Sequence, residues 1–356
     1  MTDIFRVEML PAREGDCIVL TYGDADEPRR ILVDGGRAAT YRAVRDRFSH
    51  VPDSQRIFEL LIVSHVDRDH IEGSVAMLED PASPLQFRDV WFNSYDHLRD
   101  PETEAFGAVQ GERLTAALRR RPDLWNKAFQ GKSVELRPGK PITLEGGLEI
   151  TLVSPDRDKL EALIPVWDKE CRKAGLIQGI AARRPSPPEG LERFGRVNID
   201  ELASQPFRPD RAEANGTSIA FLARYGGRCI LLAADAHTDR LIESLRPLAA
   251  AEGGRLRVDA LKLPHHGSEY NVSSELLDLV ACPRYLVSTN GSYFGHPNAT
   301  AMARVIKHGG DSPEIIFNYR SDETLLWKNQ RWQQRFGYRT TYPSPCENGF
   351  KAVDLT

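Results

Sequence analysis

A chain of 356 residues, 41% hydrophobic and 28% charged, has the composition of a soluble globular protein able to bury a sizeable core. Its net charge of −4, from 47 Lys and Arg against 51 Asp and Glu, carries no overall basic field. Binding that rests on bulk attraction to nucleic acid is thereby excluded, and such a partner would have to be held locally.

The N-terminus "MTDIFRVEML" lacks a basic region followed by a long apolar stretch, and runs such as "CILLAADA" fall far short of the ~18 residues a membrane helix needs. A cytoplasmic protein with no membrane partner is expected. "DIFRVEMLPA", "CIVLTYG" and "RRILVDGG" carry the aliphatic and β-branched residues of strands, each closed by Gly, Asp or Pro. "YRAVRDRFSHV" predicts an amphipathic helix, "FELLIVSH" a buried strand and "DHIEGSVAMLED" the next helix. "DVWFNSY" reads as a strand, "GERLTAALRRRPDLWNKAF" as one surface helix and "GLEITLVSP" as a strand closing the first half near Pro155. From Asp156 to about Ala214 the pattern weakens, and "RRPSPPEG" and "SQPFRPDRAEA" predict an inserted lobe or lid, residues 156–214, within a single domain spanning 1–356. "ARRPS" and "RPDR" would give it local positive charge.

Strand logic resumes at "TSIAFLARYGGRCILLAADAH", a hairpin joined at "YGG". "VDALKLPHHGS" and "RYLVSTNGSYFGHPN" are further strands ending in polar loops, backed by the helices "SSELLDLVA" and "ATAMARVIKHG". "EIIFNYRSDETLLWKNQRWQQRF" has strand character and is expected to seal the second half. Each half thus offers several mostly antiparallel strands and then helices, which predicts two sheets packed face to face with helices outside. Cys17, Cys171, Cys229, Cys282 and Cys346 are odd in number, scattered and free of CxxC spacing, so reduced thiols are expected.

Four strand ends carry potential metal ligands: Asp34, the cluster His65, Asp67, Asp69 and His70, then Asp235, then His265 and His266. Imidazoles and carboxylates suit borderline or hard divalent cations such as zinc or manganese. This set has enough donors for two ions with one bridging carboxylate, and two ions suit phosphoryl chemistry. The bland alternative is that such residues cap helices or shape turns, as Asp69 and Asp34 could do. One of His265 and His266 should bind metal while the other faces substrate or backbone, and the residues leave open which. His296 is either a loop histidine or a donor to a substrate phosphate or leaving group. Asp69, His266 and His296 are the candidate catalytic groups, and Ser268, Asn290 and Lys262 are candidate substrate contacts with ordinary turn or strand roles as alternatives. His237 is expected to cap the following helix, and Arg119 to Arg121 to form a solvated helix end.

At "EGDCIVL", "ILVDGG", "LLIVSHVDRDHIEG", "ANGTSIAFL", "LLAADAH", "LKLPHHGS" and "YFGHPN" the chain resembles the metallo-β-lactamase superfamily, and within it the hydrolase domain of ComEC-type competence proteins. The resemblance covers roughly residues 4–310. It implies an α/β fold, the four-layer αββα sandwich, with His65, Asp67, Asp69, His70, Asp235 and His265 as metal ligands and Asp34 supporting them. Two departures stand out. Asp67 occupies the place of a histidine in the common H-x-H-x-D-H pattern, and "ANGTS", with Asn215, stands where the superfamily supplies a histidine between the halves. The first metal position should then be harder in character, with one or two divalent ions (Zn or Mn) both open. The function implied is a metal-dependent phosphodiesterase or nuclease acting on nucleic acid or a nucleotide-derived ligand. Hydrolysis of a small ester, thioester or lactone is the second expectation and a catalytically weak binding or regulatory module the third. A protein partner is conceivable but no residue identifies it, and oligomeric state is not legible.

Overall fold

The computed structural model describes residues 3–98, 109–137, 139–173 and 197–356. Its framework is two large sheets. The first runs Lys351–Asp354, Asp3–Met9, Ile18–Asp24, Arg29–Val33, Leu60–Ile62, Val90–Trp91 across its width. The second runs Arg339–Thr341, Glu314–Phe317, Arg284–Val287, Ala260–Lys262, Arg228–Leu232, Ala220–Tyr225, Glu149–Ser154, Ile142–Thr143.

The alternation of side chains along each strand builds the layers. Ile31, Val33, Leu60 and Ile62 of the first sheet and Ile230, Leu232 and Leu286 of the second meet in a core between the sheets. Their neighbours point the other way. Leu32, Leu61 and Val63 pack against Val44 and Phe48 of the helix Thr40–Phe48 and Ile71 and Val75 of the helix Arg68–Glu79. Leu231, Leu261 and Tyr285 pack against Leu241 and Leu245 of the helix Thr238–Ala251 and Met302 and Val305 of the helix Ala299–His308. A strand with apolar residues on both faces must be covered on both, and the result is a four-layer αββα sandwich.

The expectation of mostly antiparallel strands needs correction. Arg29–Val33, Leu60–Ile62 and Val90–Trp91 are mutually parallel, and so are Arg228–Leu232, Ala260–Lys262, Arg284–Val287, Glu314–Phe317 and Arg339–Thr341. The first three strands and the "YGG" hairpin are antiparallel, the latter turning through Gly226 and Gly227 at positive φ. The parallel blocks matter for function, because parallel strands present their C-terminal loops at one edge.

Other expectations shift as well. The surface helix ends at Arg119 and gives way to two short 3₁₀ turns, since Pro122 cannot continue it. The tail is not one strand: after Glu314–Phe317 it coils through Asp322–Leu325 and Gln330–Phe336, and Lys351–Asp354 returns to pair with Asp3–Met9 in the first sheet. The proposed insert is not irregular throughout. Arg157–Lys173 is a 17-residue helix whose Leu160, Leu163 and Trp167 join the core outside the first sheet. "ARRPS" lies outside the described residues, whereas "RPDR" does not. Among the described residues Cys17, Cys229 and Cys282 are free and buried and Cys346 is free and exposed, while the side chain of Cys171 lies outside the description. No described helix is long and apolar enough to cross a membrane.

Candidate metal centre

The loops after the parallel strands converge. Asp34 follows Arg29–Val33, His65 to His70 follow Leu60–Ile62, Asp235 follows Arg228–Leu232, and His265 and His266 follow Ala260–Lys262. Asp34, Ala234, His265 and His266 all have positive φ, at 59°, 45°, 47° and 55°. Such conformations cost non-glycine residues on the order of 1–3 kcal/mol each and persist only where surrounding packing enforces them. Glycines bring the backbones close: a Cβ on Gly35 would strike Ser74, one on Gly73 would strike Gly35, and one on Gly15 would strike the backbone of Asp69. The helix Arg68–Glu79 is therefore seated directly on the loop that bears Asp34.

At the centre lies the Asp235 carboxylate, 2% exposed. Its Oδ2 is 3.3 Å from His70 Nε2, 3.6 Å from both His265 Nε2 and His266 Nε2, and 3.9 Å from His65 Nε2. Asp69 Oδ2 lies 3.7 Å from His266 Nε2 and 3.9 Å from His70 Nε2. Asp67 is half exposed at the start of the helix and reaches within 3.6 Å of His65 Nε2. Asp69, His70 and His266 form one compact donor group and His65, His70 and Asp235 another. His266, rather than His265, is thus the neighbour of Asp69 and His70.

The far side of each imidazole is tied down. His70 Nδ1 donates to Asp34 Oδ2 at 2.8 Å, and His266 Nδ1 to Ser288 O at 2.9 Å. Ser64 Oγ donates to Asp34 Oδ2 at 2.7 Å and accepts from His65 Nδ1 at 2.9 Å. His265 Nδ1 donates to Asn271 Oδ1 at 3.0 Å. With a cation bound, these Nδ1 partners would hold each proton on Nδ1 and leave a lone pair on Nε2, the tautomer a metal ligand needs. Asp34 meets His70 directly and His65 through Ser64.

These donors fit a divalent cation. His70 Nε2 and His266 Nε2 lie 3.2 Å apart, close enough to share one proton or to face one cation. Ligand atoms around a tetrahedral cation with bonds of about 2.0–2.2 Å are about 3.3–3.6 Å apart, which matches this spacing. His65 Nε2 and Asp235 Oδ1 are buried and have no hydrogen-bond partner among the described residues. Without a cation, protons fill the role. Burial opposes charge on His70, yet the Asp235 and Asp34 carboxylates outweigh it and raise the imidazole well above its usual range. Burial likewise opposes charge on His265, but Asp235 and Asp210 raise it to about 9. Burial would push Asp235 up, and the imidazoles of His70, His265 and His266 hold it well below the usual carboxylate range.

The remaining candidates divide. His296 is buried, with its ring centroid 5.2 Å from that of His265 and its Nδ1 without a hydrogen-bond partner among the described residues; burial and the nearby histidines depress it to about 3, so it is neutral. Lys262 is fully buried and paired with Asp16, which removes it from contact with substrate. Ser268 is buried and accepts from Tyr270 N at 3.2 Å, and Asn290 Oδ1 accepts from Ser292 N and Oγ, both turn-forming roles. Asn215 donates to Asp210 Oδ2 at 2.6 Å, with its Nδ2 3.3 Å from His265 Nδ1. His237 precedes the helix Thr238–Ala251 but makes no side-chain cap, reaching Ala212 O at 2.9 Å instead.

Three residues that sequence reasoning passed over belong to the centre's surroundings. Asp16, in "EGDC", pairs with Lys262 and lies 3.4 Å from His266 Nδ1. Asp210, in "RPDR", and Asn271 hold His265. Asp16 had a signal, an acidic residue beside a glycine at a strand start; Asp210 and Asn271 meet only through tertiary contact.

No family model and no curated protein matches the chain. Among solved structures it is similar to the metallo-β-lactamase SMB-1 bound to 2-mercaptoethanesulfonate, at 12% identity and a TM-score of 0.31, covering 85% of this chain and 92% of that one. It is also similar to the metallo-β-lactamase MIM-1 from Novosphingobium pentaromativorans, at 14% identity and a TM-score of 0.29, covering 85% and 89%.

Proposed function

We propose that the protein is a metal-dependent hydrolase acting on phosphodiester bonds, with nucleic acid or a nucleotide-derived ligand as substrate. The observation that carries the proposal is the set of four imidazole Nε2 atoms within 3.9 Å of one buried carboxylate oxygen, with Asp69 beside them. Asp69, His70, His266 and Asp235 would hold a divalent cation there. Such a cation supplies Lewis acidity toward a phosphoryl oxygen and acidifies water. The protein's own groups do the rest. Asp34 and Ser288 would keep His70 and His266 in the ligating tautomer, and the partly exposed Asp67 would be the donor that solvent reaches. His296, kept neutral, would hydrogen-bond a phosphate or leaving-group oxygen. The resemblance in "LPHHGS" and "GHPN" supports the phosphodiester class over other hydrolyses.

The test incubates chelator-stripped protein, reloaded with Mn²⁺ or Zn²⁺, with bis-p-nitrophenyl phosphate, single-stranded DNA, RNA and a thioester panel. Metal-dependent cleavage of phosphodiesters is expected. Turnover of thioesters alone would overturn the substrate class, and no turnover with either metal would overturn the enzyme reading.

A further inference from the structure

The sequence pattern leaves the first cation position short of donors: His65, Asp67 and Asp235 approach it, while Asn215 offers no imidazole. Two adjacent histidines each bring Nε2 to 3.6 Å from Asp235 Oδ2. Both adopt left-handed backbone, His265 at φ 47°, ψ 52° and His266 at φ 55°, ψ 21°, a conformation that residues bearing a Cβ rarely adopt even singly. The consequence is that their rings part: the centroids are 5.9 Å apart and the planes cross at 76°. His266 turns inward to Asp69 and His70. His265 keeps 20% of its side chain exposed and brings Nε2 to 3.6 Å from Asp235 Oδ2.

The other side of His265 is built as a holder. Asn271 Oδ1 accepts from Nδ1 at 3.0 Å, and Asp210 Oδ2 stands 3.5 Å from the same nitrogen. Asp210 is itself fixed, accepting from Asn215 Nδ2 at 2.6 Å, from Asn271 Nδ2 at 3.1 Å and from Ala212 N at 2.9 Å, with its own backbone N–H on Tyr270 O. A carboxylate behind an imidazole fixes the ring and strengthens it as a ligand.

We propose that Asp210 is a positioning residue: it holds His265, a ligand that the sequence resemblance already implies, with Nε2 turned to Asp235 and the first cation position. Asn215 thereby acts at one remove, through Asp210 rather than at the cation. The assignment rests on the divalent-cation centre proposed above and adds a division of labour within "PHHG", one histidine to each position.

Mn²⁺ titration of chelator-stripped full-length protein, read by mass spectrometry for stoichiometry and by electron paramagnetic resonance, tests it. Two ions about 3.5–4 Å apart couple magnetically, whereas a single ion gives an isolated six-line signal. Wild type is expected to bind two coupled ions and His265→Ala one uncoupled ion. Asp210→Asn should weaken one ion by about 10–100-fold and leave the other unchanged, with Asp210→Glu recovering part of the loss. Thermal unfolding of the metal-free variants controls for folding, and His265→Gln replaces His265→Ala if the latter does not fold. Two coupled ions retained in the His265 variant overturn the assignment while leaving the cation centre standing, and so does a wild type that saturates with one ion. Wild-type affinity in Asp210→Asn overturns the positioning role. A wild type that binds no divalent cation overturns both this assignment and the reading beneath it.

Discussion

Asp235 is surrounded by histidines on every side that could neutralise it, and its removal is the sharpest single perturbation available. Asp235→Asn keeps the volume but deletes the anion that every nearby Nε2 faces, so cation content by mass spectrometry should fall and phosphodiester turnover should drop at least about 100-fold. Retained metal with near-normal turnover would mean the centre is built from other residues. Asp67→His acts differently. It adds a softer ligand beside His65 and should shift preference from Mn²⁺ toward Zn²⁺ in a competition titration.

The same histidines make the metal-free protein sensitive to pH. A group whose pKa is raised on folding contributes stability that is complete below its unfolded value and vanishes as pH climbs through the folded one. His265 rises from 6.5 to about 9, and His70 rises too, so the metal-free protein should lose thermal stability between pH 6.5 and 9. Added Mn²⁺ should cancel or reverse that slope, because cations and protons compete for the same nitrogens. A metal-free melting temperature that is flat or rising across this interval would refute it.

Among elements, the strand Ala260–Lys262 shows how a side chain that looked available is committed elsewhere. Lys262 is buried against Asp16, whose carboxylate burial would raise but Lys262 and His266 lower. Lys262→Met should leave that carboxylate buried with half its compensation, costing about 3–5 kcal/mol in urea unfolding. A loss of substrate affinity at unchanged stability would restore the substrate-contact role instead. The helix Arg68–Glu79 depends on close backbone contact at Gly35, Gly73 and Gly15. Gly15→Ala must push Asp69 away, and the expected result is weaker cation binding in a chain that still folds. Unaltered binding would show that the loop can yield.

At the scale of the whole molecule, the helix Arg157–Lys173 divides the proposed insert into a structural and an unassigned part. Trp167 is 1% exposed and packs against Tyr95 with ring centroids 5.8 Å apart. Trp167→Ala should cost about 3–5 kcal/mol by leaving a cavity, measurable by denaturant unfolding, and deletion of the full 156–214 stretch should abolish folding rather than retune substrate choice. A lid role can therefore be sought only in deletions that spare this helix. Asp210, in the last part of the stretch, accepts from Asn215 and stands 3.5 Å from His265 Nδ1.

The sequence by itself determined the α/β class of the fold and offered a set of candidate donors, without the Asp16, Asp210 and Asn271 that lie beside them. Short apolar runs ending in Asp or His can be recognised because a buried strand must be apolar, and charged groups survive at its end only with a purpose, so Asp34, His65 to His70, Asp235 and the histidine pair were all legible. Tertiary structure decided what each residue faces. Parallel pairing across the strands Arg228–Leu232, Ala260–Lys262 and Arg284–Val287 depends on partners dozens of residues apart, which local periodicity does not encode. The separate directions of His265 and His266 come from two consecutive left-handed residues that no side-chain preference announces. Lys262 reads as an ordinary strand lysine until Asp16 closes on it, and Asp210 as a loop charge until chain folding brings it behind His265. Residue chemistry is local and survives in the sequence, whereas orientation is a property of contacts made at long range.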